Sequence, residues 1–341
     1  MLFHNAIVKL TTGCNLNCKY CNVEKNKRED FPADEIDELV DTLAQQTKDI
    51  CSVLWHGGEP LILGLDYLDR IITSEERYPG KFHNIISTNG ILLSDDVVDY
   101  LIKNNITIKT SLDNINISKD ENRCFSCNKV IEGLNRVRIR KYNDVYVRTT
   151  VGSSNEDELW NIYLFMKEAQ CFKWEFAPII PAGLKAKEAF ELLPDADTFS
   201  AGLIRIFHDW FDNCSFDIPV FNELIKIILG FTKAVDVSKP RINIGHDGYV
   251  YRCPLLIGND KFIVGEYTDP NTWKQFYTHN CIWNTLKYSK CENCHHVGVC
   301  RVSKCSYMGE SLKCYDGMGD YYCKMWKPVF DDIEMTLKTA F

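Results

Sequence analysis

The stretch Thr12-Gly13-Cys14-Asn15-Leu16-Asn17-Cys18-Lys19-Tyr20-Cys21 follows directly on the run Ala6–Leu10 (AIVKL), and this junction decides how the chain reads. The short apolar run is a compact strand candidate. Behind it the cysteines have CxxxCxxC spacing, so a tight loop at a strand end offers three thiolates. Three thiolates can ligate three irons of a cubane cluster and leave the fourth iron open to a small molecule. A structural zinc takes a fourth protein ligand, and a ferredoxin cluster a fourth cysteine. Either alternative would need a distant residue to complete the site.

Outward from this junction, residues 6 to about 180 alternate short apolar runs with amphipathic segments. Ile36, Leu39, Val40 and Leu43 recur at helical spacing after Pro32. Ser52–Trp55 reads as a strand, then a Gly-rich loop, then a helix bearing Leu68, Ile71 and Ile72. Ile85–Ser87, Val97–Ile102, Ile106–Ser111, a helix around Val130–Val137 and the strand Val145–Val151 continue the series. Asn155 stands where an N-cap would start a helix with Leu159, Ile162, Tyr163 and Met166, and Lys173–Ile180 closes the pattern. Six β/α units predict a parallel sheet curled towards a partial (β/α)6, TIM-like barrel, short of the eight units of a closed one. Two helices follow, Phe199–Phe211 and Leu224–Phe231. Asp247-Gly248 between Arg241–Gly245 and Tyr249–Cys253 is a hairpin signal. The organisation expected is residues 1–190 as the barrel, 191–240 as a helical bridge, 241–329 as a Cys-rich domain and 330–341 as a tail or helix.

The 341 residues carry a net charge of −8 and no dense Lys/Arg block, which argues against a nucleic-acid partner. No apolar run is long enough to span a bilayer, and the N-terminus lacks the marks of a secretory signal, so a cytoplasmic protein is expected. The 16 cysteines then read as metal ligands rather than disulfides. Eight lie between Cys253 and Cys323, in a segment whose weak apolar pattern calls for another source of order. Cys51, Cys124, Cys127, Cys171 and Cys214 are scattered and read as small buried hydrophobes.

The Cys14/Cys18/Cys21 motif resembles the signature of the radical S-adenosylmethionine (SAM) superfamily, with the aromatic Tyr20 before the last cysteine. Two later strand ends match as well. His56-Gly57-Gly58-Glu59-Pro60 resembles the family's GGEP motif, and Ser87-Thr88-Asn89-Gly90 and Ser111-Leu112-Asp113 resemble further strand-end motifs. The resemblance implies a [4Fe–4S] cluster on Cys14, Cys18 and Cys21, with SAM contacted by Tyr20, Gly57, Gly58, Glu59, Asn89, Ser111 and Arg123. Glu59 would accept from the methionine amino group. It also implies an enzyme, fed by a flavodoxin- or ferredoxin-type reductant, that generates a 5′-deoxyadenosyl radical.

Cys291-x2-Cys294-x5-Cys300-x4-Cys305 and Cys323, with Cys253 upstream, resemble the SPASM extension of that superfamily, which holds auxiliary [4Fe–4S] clusters. On that pattern Cys291, Cys294, Cys300 and Cys323 hold an outer cluster. Cys253 and Cys305, with Cys281 or Cys314, hold an inner one. The chain departs from the pattern in two places: Pro270 stands where a cysteine follows Gly265, and the last gap is x4 rather than x3. Structural zinc, with His295 or His296 among its ligands, is the alternative that the spacing also allows.

SPASM enzymes mostly modify peptides. The Trp55–Leu61 motif resembles maturases that cross-link ribosomal precursor peptides through carbon–carbon, ether or thioether bonds, and this is the activity expected. An anaerobic sulfatase maturase is the second reading. That family places an Asp directly after an inner-cluster cysteine, whereas Pro254 follows Cys253 and Ile282 follows Cys281. Peptide epimerisation and a non-catalytic iron–sulfur or zinc module complete the alternatives. The first strand begins too near the start for a leader-binding domain ahead of it, so peptide recognition is expected from the middle helices near 195–235, from the SPASM-like region or from a separate leader-binding protein, or else needs no leader.

Overall fold

The computed structural model describes residues 3–23, 27–169, 172–181, 186–213, 216–231, 241–278, 293–300 and 318–340. The chain forms two compact units. The first comprises Met1–Ser111, Lys129–Tyr146 and Lys239–Cys281, and the second comprises Leu112–Asn128, Val147–Ser238 and Ile282–Phe341.

In the first unit, β1 (Phe3–Thr11), β2 (Thr47–Gly57), β3 (Phe82–Thr88) and β4 (Thr107–Ser111) pair in parallel in the order 4-3-2-1. Crossovers run through α1 (Ile36–Gln46), α2 (Leu65–Glu75) and α3 (Asp95–Lys103), each burying one apolar stripe. Cys51, Val53 and Trp55 on β2 are buried, while Ser52, Leu54 and His56 between them are half-buried. This period of two marks a sheet whose faces differ: one lies under the helices, the other is more open. Beyond β1 the sheet continues with β7 (Ile242–Ile244, parallel), then β8 (Tyr249–Tyr251) and β9 (Ile263–Glu266), both antiparallel. The Asp-Gly hairpin is present: Gly248 has φ of 75°, and Asp247 accepts from the Tyr249 amide at 3.2 Å. A helix, α9 (Pro270–Thr278), brings Trp273 and Phe276 edge-on to Phe3 at 6.4 and 5.4 Å.

Residues 127–139 form α4. β5 (Val145–Val151) crosses from the first unit into the second, where it neighbours β6 (Lys173–Pro178). Asn155 precedes a short 3-10 turn leading into α5 (Leu159–Ala169), but its side chain does not cap that turn. It donates instead to the carbonyls of Asp113 (2.6 Å) and Thr150 (3.0 Å) and accepts from Gly152. Buried loop backbone claims this amide, because an orphaned carbonyl there costs more than an uncapped turn. After α6 (Ala186–Phe190) come α7 (Ala196–Asn213), α8 (Pro219–Ile228) and α10 (Met318–Ala340). Phe199 of α7 meets Trp326 of α10 at 5.5 Å, and His208 pairs with Asp332 at 2.9 Å. Among the described residues no helix is long and apolar enough to cross a membrane.

Candidate active site

The Cys loop is laced to the end of β2 by backbone. The Gly58 amide donates to the Thr11 carbonyl at 2.7 Å, and the Glu59 amide to the Gly13 carbonyl at 2.8 Å. Both glycines are required for this approach. Gly57 has φ of +143°, and a Cβ on it would lie 2.3 Å from the Thr11 oxygen; a Cβ on Gly58 would lie 2.1 Å from the Gly13 oxygen. The glycines therefore admit the neighbouring loop's own backbone.

Glu59 is fully buried, and its carboxylate joins three elements. It accepts from the Leu61 amide (3.1 Å), the Thr88 hydroxyl (2.8 Å) and the Asn89 amide (2.5 Å). In this structure the GGEP acid thus ties the end of β2 to the end of β3. Asn89 carries the chain of contacts on to the cysteines: its Nδ2 donates to Asn15 Oδ1 at 2.6 Å and reaches Cys14 Sγ at 3.7 Å. The Leu16 amide donates to the same sulfur at 3.4 Å. Cys14, Cys18 and Cys21 are all half-buried on one loop. N–H donors aimed at a thiolate stabilise its charge, as a cluster ligand requires.

A concavity of about 350 Å³ opens beside Cys14, lined by Thr12, Gly13, Asn15, Arg28 and Ile62. Arg28 pairs with Asp30 at 2.7 Å, and Asp30 accepts from Thr11 at 2.5 Å. Partial burial raises the Asp30 carboxyl, but the hydrogen bonds from Arg28 and Thr11 outweigh it and hold the group below its ordinary range. Arg28 and the Thr88 hydroxyl were not singled out by the sequence: Arg28 belongs to no motif, and Thr88 passes for a turn residue.

Tyr20 is half-buried on the Cys loop, and Ser111 half-buried at the end of β4. Arg123 belongs to the second unit, buried 4.0 Å from the Asp113 carboxylate. Of the later cysteines, Cys253 is buried just after β8 in the first unit. Cys294 and Cys300 flank a 3-10 turn (His295–Gly298) in the second unit, and Cys323 is exposed on α10. Cys281, Cys291, Cys305 and Cys314 lie outside the described residues, as do Cys171 and Cys214. Cys51 is buried, with its thiol pushed up to about 12 by desolvation, the state of a small hydrophobe. Cys127 is likewise buried, while Cys124 is exposed at a left-handed φ of 59°.

Residues 8–166, which contain the Cys loop and the GGEP turn, match the Radical SAM superfamily model. The chain carries a radical SAM domain. It is therefore an enzyme of the class that works with SAM and a [4Fe–4S] cluster. The cysteine-type anaerobic sulfatase-maturating enzyme of Clostridium novyi (strain NT) is 26% identical over 94% of this chain and 92% of its own length. The structure of native anSMEcpe with bound AdoMet superposes with a TM-score of 0.79 at 20% identity, covering 98% of both chains. Streptococcus suis SuiB bound to S-adenosylmethionine gives 0.65 at 16% identity, over 88% of this chain and 72% of SuiB. The radical SAM domain thus sits in a fold shared, from end to end, with a sulfatase-maturating protein.

Proposed function

We propose that this radical SAM enzyme is a peptide maturase of the sulfatase-maturating type, oxidising the Cβ of a cysteine in a peptide or protein to an aldehyde. The observation that carries this reading is the similarity to a cysteine-type maturase over nearly the whole of both chains. It displaces the cross-linking reading as the main one.

On this proposal Cys14, Cys18 and Cys21 hold the radical-generating cluster, and SAM binds beside it with Tyr20, Gly57, Gly58, Asn89 and Ser111 as its contacts. The donors already aimed at Cys14 Sγ fit that role. When bound, SAM and the reduced cluster supply a radical that removes one β-hydrogen atom from the substrate cysteine. An electron and the thiol proton then leave, and water replaces sulfur as sulfide. Asn89 and Leu16 hold the Cys14 thiolate, and Glu59 fixes Asn89 by its backbone. Cys253, Cys294, Cys300 and Cys323, with cysteines outside the described residues, would hold auxiliary clusters that accept the second electron. A flavodoxin- or ferredoxin-type protein would supply the first.

One observation keeps cross-linking as the second reading. The resemblance to sulfatase maturases implies an Asp just after an inner-cluster cysteine, whereas Pro254 follows Cys253 and opens a 3-10 turn, and Ile282 follows Cys281. Incubation of the reconstituted enzyme with SAM, reductant and a sulfatase-derived cysteine peptide separates the two. Formylglycine formation gives a product that has lost sulfur and reacts with hydrazides, matched by 5′-deoxyadenosine. A product that retains sulfur and lacks only two hydrogens would establish the cross-link instead. An unchanged peptide despite 5′-deoxyadenosine release would overturn both.

A further inference from the structure

The turn flanked by Cys294 and Cys300 carries two adjacent histidines, and within the second unit they face one side of α10. Asp331 and Glu334 are three positions apart on that helix and so share a face. His296 is buried, its ring centroid 5.5 Å from that of Phe330 and 3.7 Å from that of His295. The ring nitrogens of the pair converge on the two acids. His296 Nε2 lies 2.6 Å from Asp331 Oδ1, and His295 Nε2 lies 3.7 Å from the same oxygen and 3.6 Å from Glu334 Oε2. Two lysines occupy the other oxygens of these acids: Lys327 donates to Asp331 Oδ2 at 2.5 Å, and Lys338 to Glu334 Oε1 at 2.6 Å. One ligand atom each from His295, His296 and Glu334 lie within 4.8 Å of one another. Donors around a tetrahedral zinc, with bonds of about 2.1 Å, stand roughly 3.4 Å apart. A turn of the exposed His295 side chain closes the remaining gap.

We propose that His295, His296 and Glu334 form a mononuclear zinc site, with Asp331 completing the shell, that clips the turn between Cys294 and Cys300 to α10. Two imidazoles with carboxylate oxygens suit zinc, whereas magnesium and calcium favour oxygen alone. The site uses no sulfur, so it is separate from the iron–sulfur clusters and from any zinc held by the cysteines. Lys327 and Lys338 form the outer shell that orients the two carboxylates. Because α10 carries Cys323, the ion holds together two elements that bear cysteines. The proposal does not depend on which reaction the enzyme performs.

The test uses anaerobically reconstituted holoenzyme dialysed against dilute zinc. Zinc and iron are counted by mass spectrometry, and X-ray absorption at the zinc K-edge reads the ligands. The expected result is one zinc per chain beside the full iron complement, surrounded by nitrogen and oxygen at about 2.0–2.1 Å with no sulfur at about 2.3 Å. His295→Ala and Glu334→Gln should each lose that zinc at unchanged iron content, and then release iron to a chelator faster than wild type. Absence of zinc from fully iron-loaded wild type overturns the proposal. A zinc–sulfur shell also overturns it, since the ion then sits among the cysteines. So does zinc retained in full by both variants, or an iron release rate that zinc loss leaves unchanged. Parallel loss of zinc and iron in both variants overturns it as well, because that marks a misfolded turn rather than a separate site.

Discussion

The loop of Cys14, Cys18 and Cys21 and the segment from Cys294 to Cys323 both present cysteines, but they are ordered by different means. The first hangs from the ends of parallel strands. Backbone bonds from Gly58 and Glu59, and the buried Glu59 carboxylate between Leu61, Thr88 and Asn89, fix it without any metal. The second combines a short turn with a side-chain tie. His296 bonds to Asp331 at 2.6 Å, and the Cys300 amide donates to the His296 carbonyl at 2.8 Å. Cys323 rides on α10, whose other face packs on α7. A site borne by a sheet exists before its metal arrives, whereas a site whose ligands span a four-residue turn and a separate helix draws part of its order from the metal.

The largest test of this contrast removes ligands at each end. Replacing Cys14, Cys18 and Cys21 by Ala should abolish 5′-deoxyadenosine formation while leaving the melting temperature close to that of the loaded wild-type protein. Replacing Cys294, Cys300 and Cys323 should instead lower the melting temperature of the loaded protein and speed proteolysis between residues 279 and 341. Equal destabilisation by the two sets would break the comparison.

Next in size is Gly58→Ala. The new methyl group would meet the Gly13 carbonyl at 2.1 Å, a contact with backbone rather than with a side chain that can swing away. The strand ends must separate, at a cost of about 3 kcal/mol by analogy with overpacked cores. Chemical denaturation should register that loss, together with poorer iron retention at the Cys loop. A fully stable, fully loaded variant would show that the lacing is dispensable.

How far the sequence announced these two regions follows from their physics. The Cys loop was legible because a strand and three ligands are adjacent in the chain, and the β/α alternation set the register that puts the Gly57-Gly58 pair at the end of the next strand. Glu59 was legible as a residue but not as a tie, because its partners Thr88 and Asn89 are about 30 positions away and join it only through the sheet. The helix α10 was missed as far as its start. Tyr322, Met325, Val329, Ile333 and Leu337 form a helical stripe, but Pro328 and the cysteines interrupt its pattern. Asn155 misled because its place before a helix is that of a cap, while tertiary carbonyls claimed its side chain.

The smallest test probes the two regions through pH. Glu75 on α2 is buried behind the sheet, accepting from Asn84 at 2.6 Å, and Asn84 in turn accepts from the Trp55 indole at 2.7 Å. Its other oxygen has no partner among the described residues. Desolvation raises its carboxyl from 4.5 to about 7, with the Asn84 bond opposing. The folded state therefore binds this proton more tightly than the unfolded chain. Stability from this group is full below pH 4.5 and is lost as pH rises through about 7, by roughly 3 kcal/mol at most. Asp331 in the second region has the opposite sign. Burial pushes it up, but the His296 and Lys327 bonds hold it below its ordinary value, so its contribution is present at neutral pH and lost only in acid. Glu75→Gln keeps the acceptor for Asn84 and removes the charge. Urea unfolding at pH 8 should show the variant more stable than wild type, with the gap closing at pH 5. A gap of equal size at both values would mean that the Glu75 carboxylate is solvated, and that the face of β2 and β3 behind the Cys loop is less closed than its packing implies.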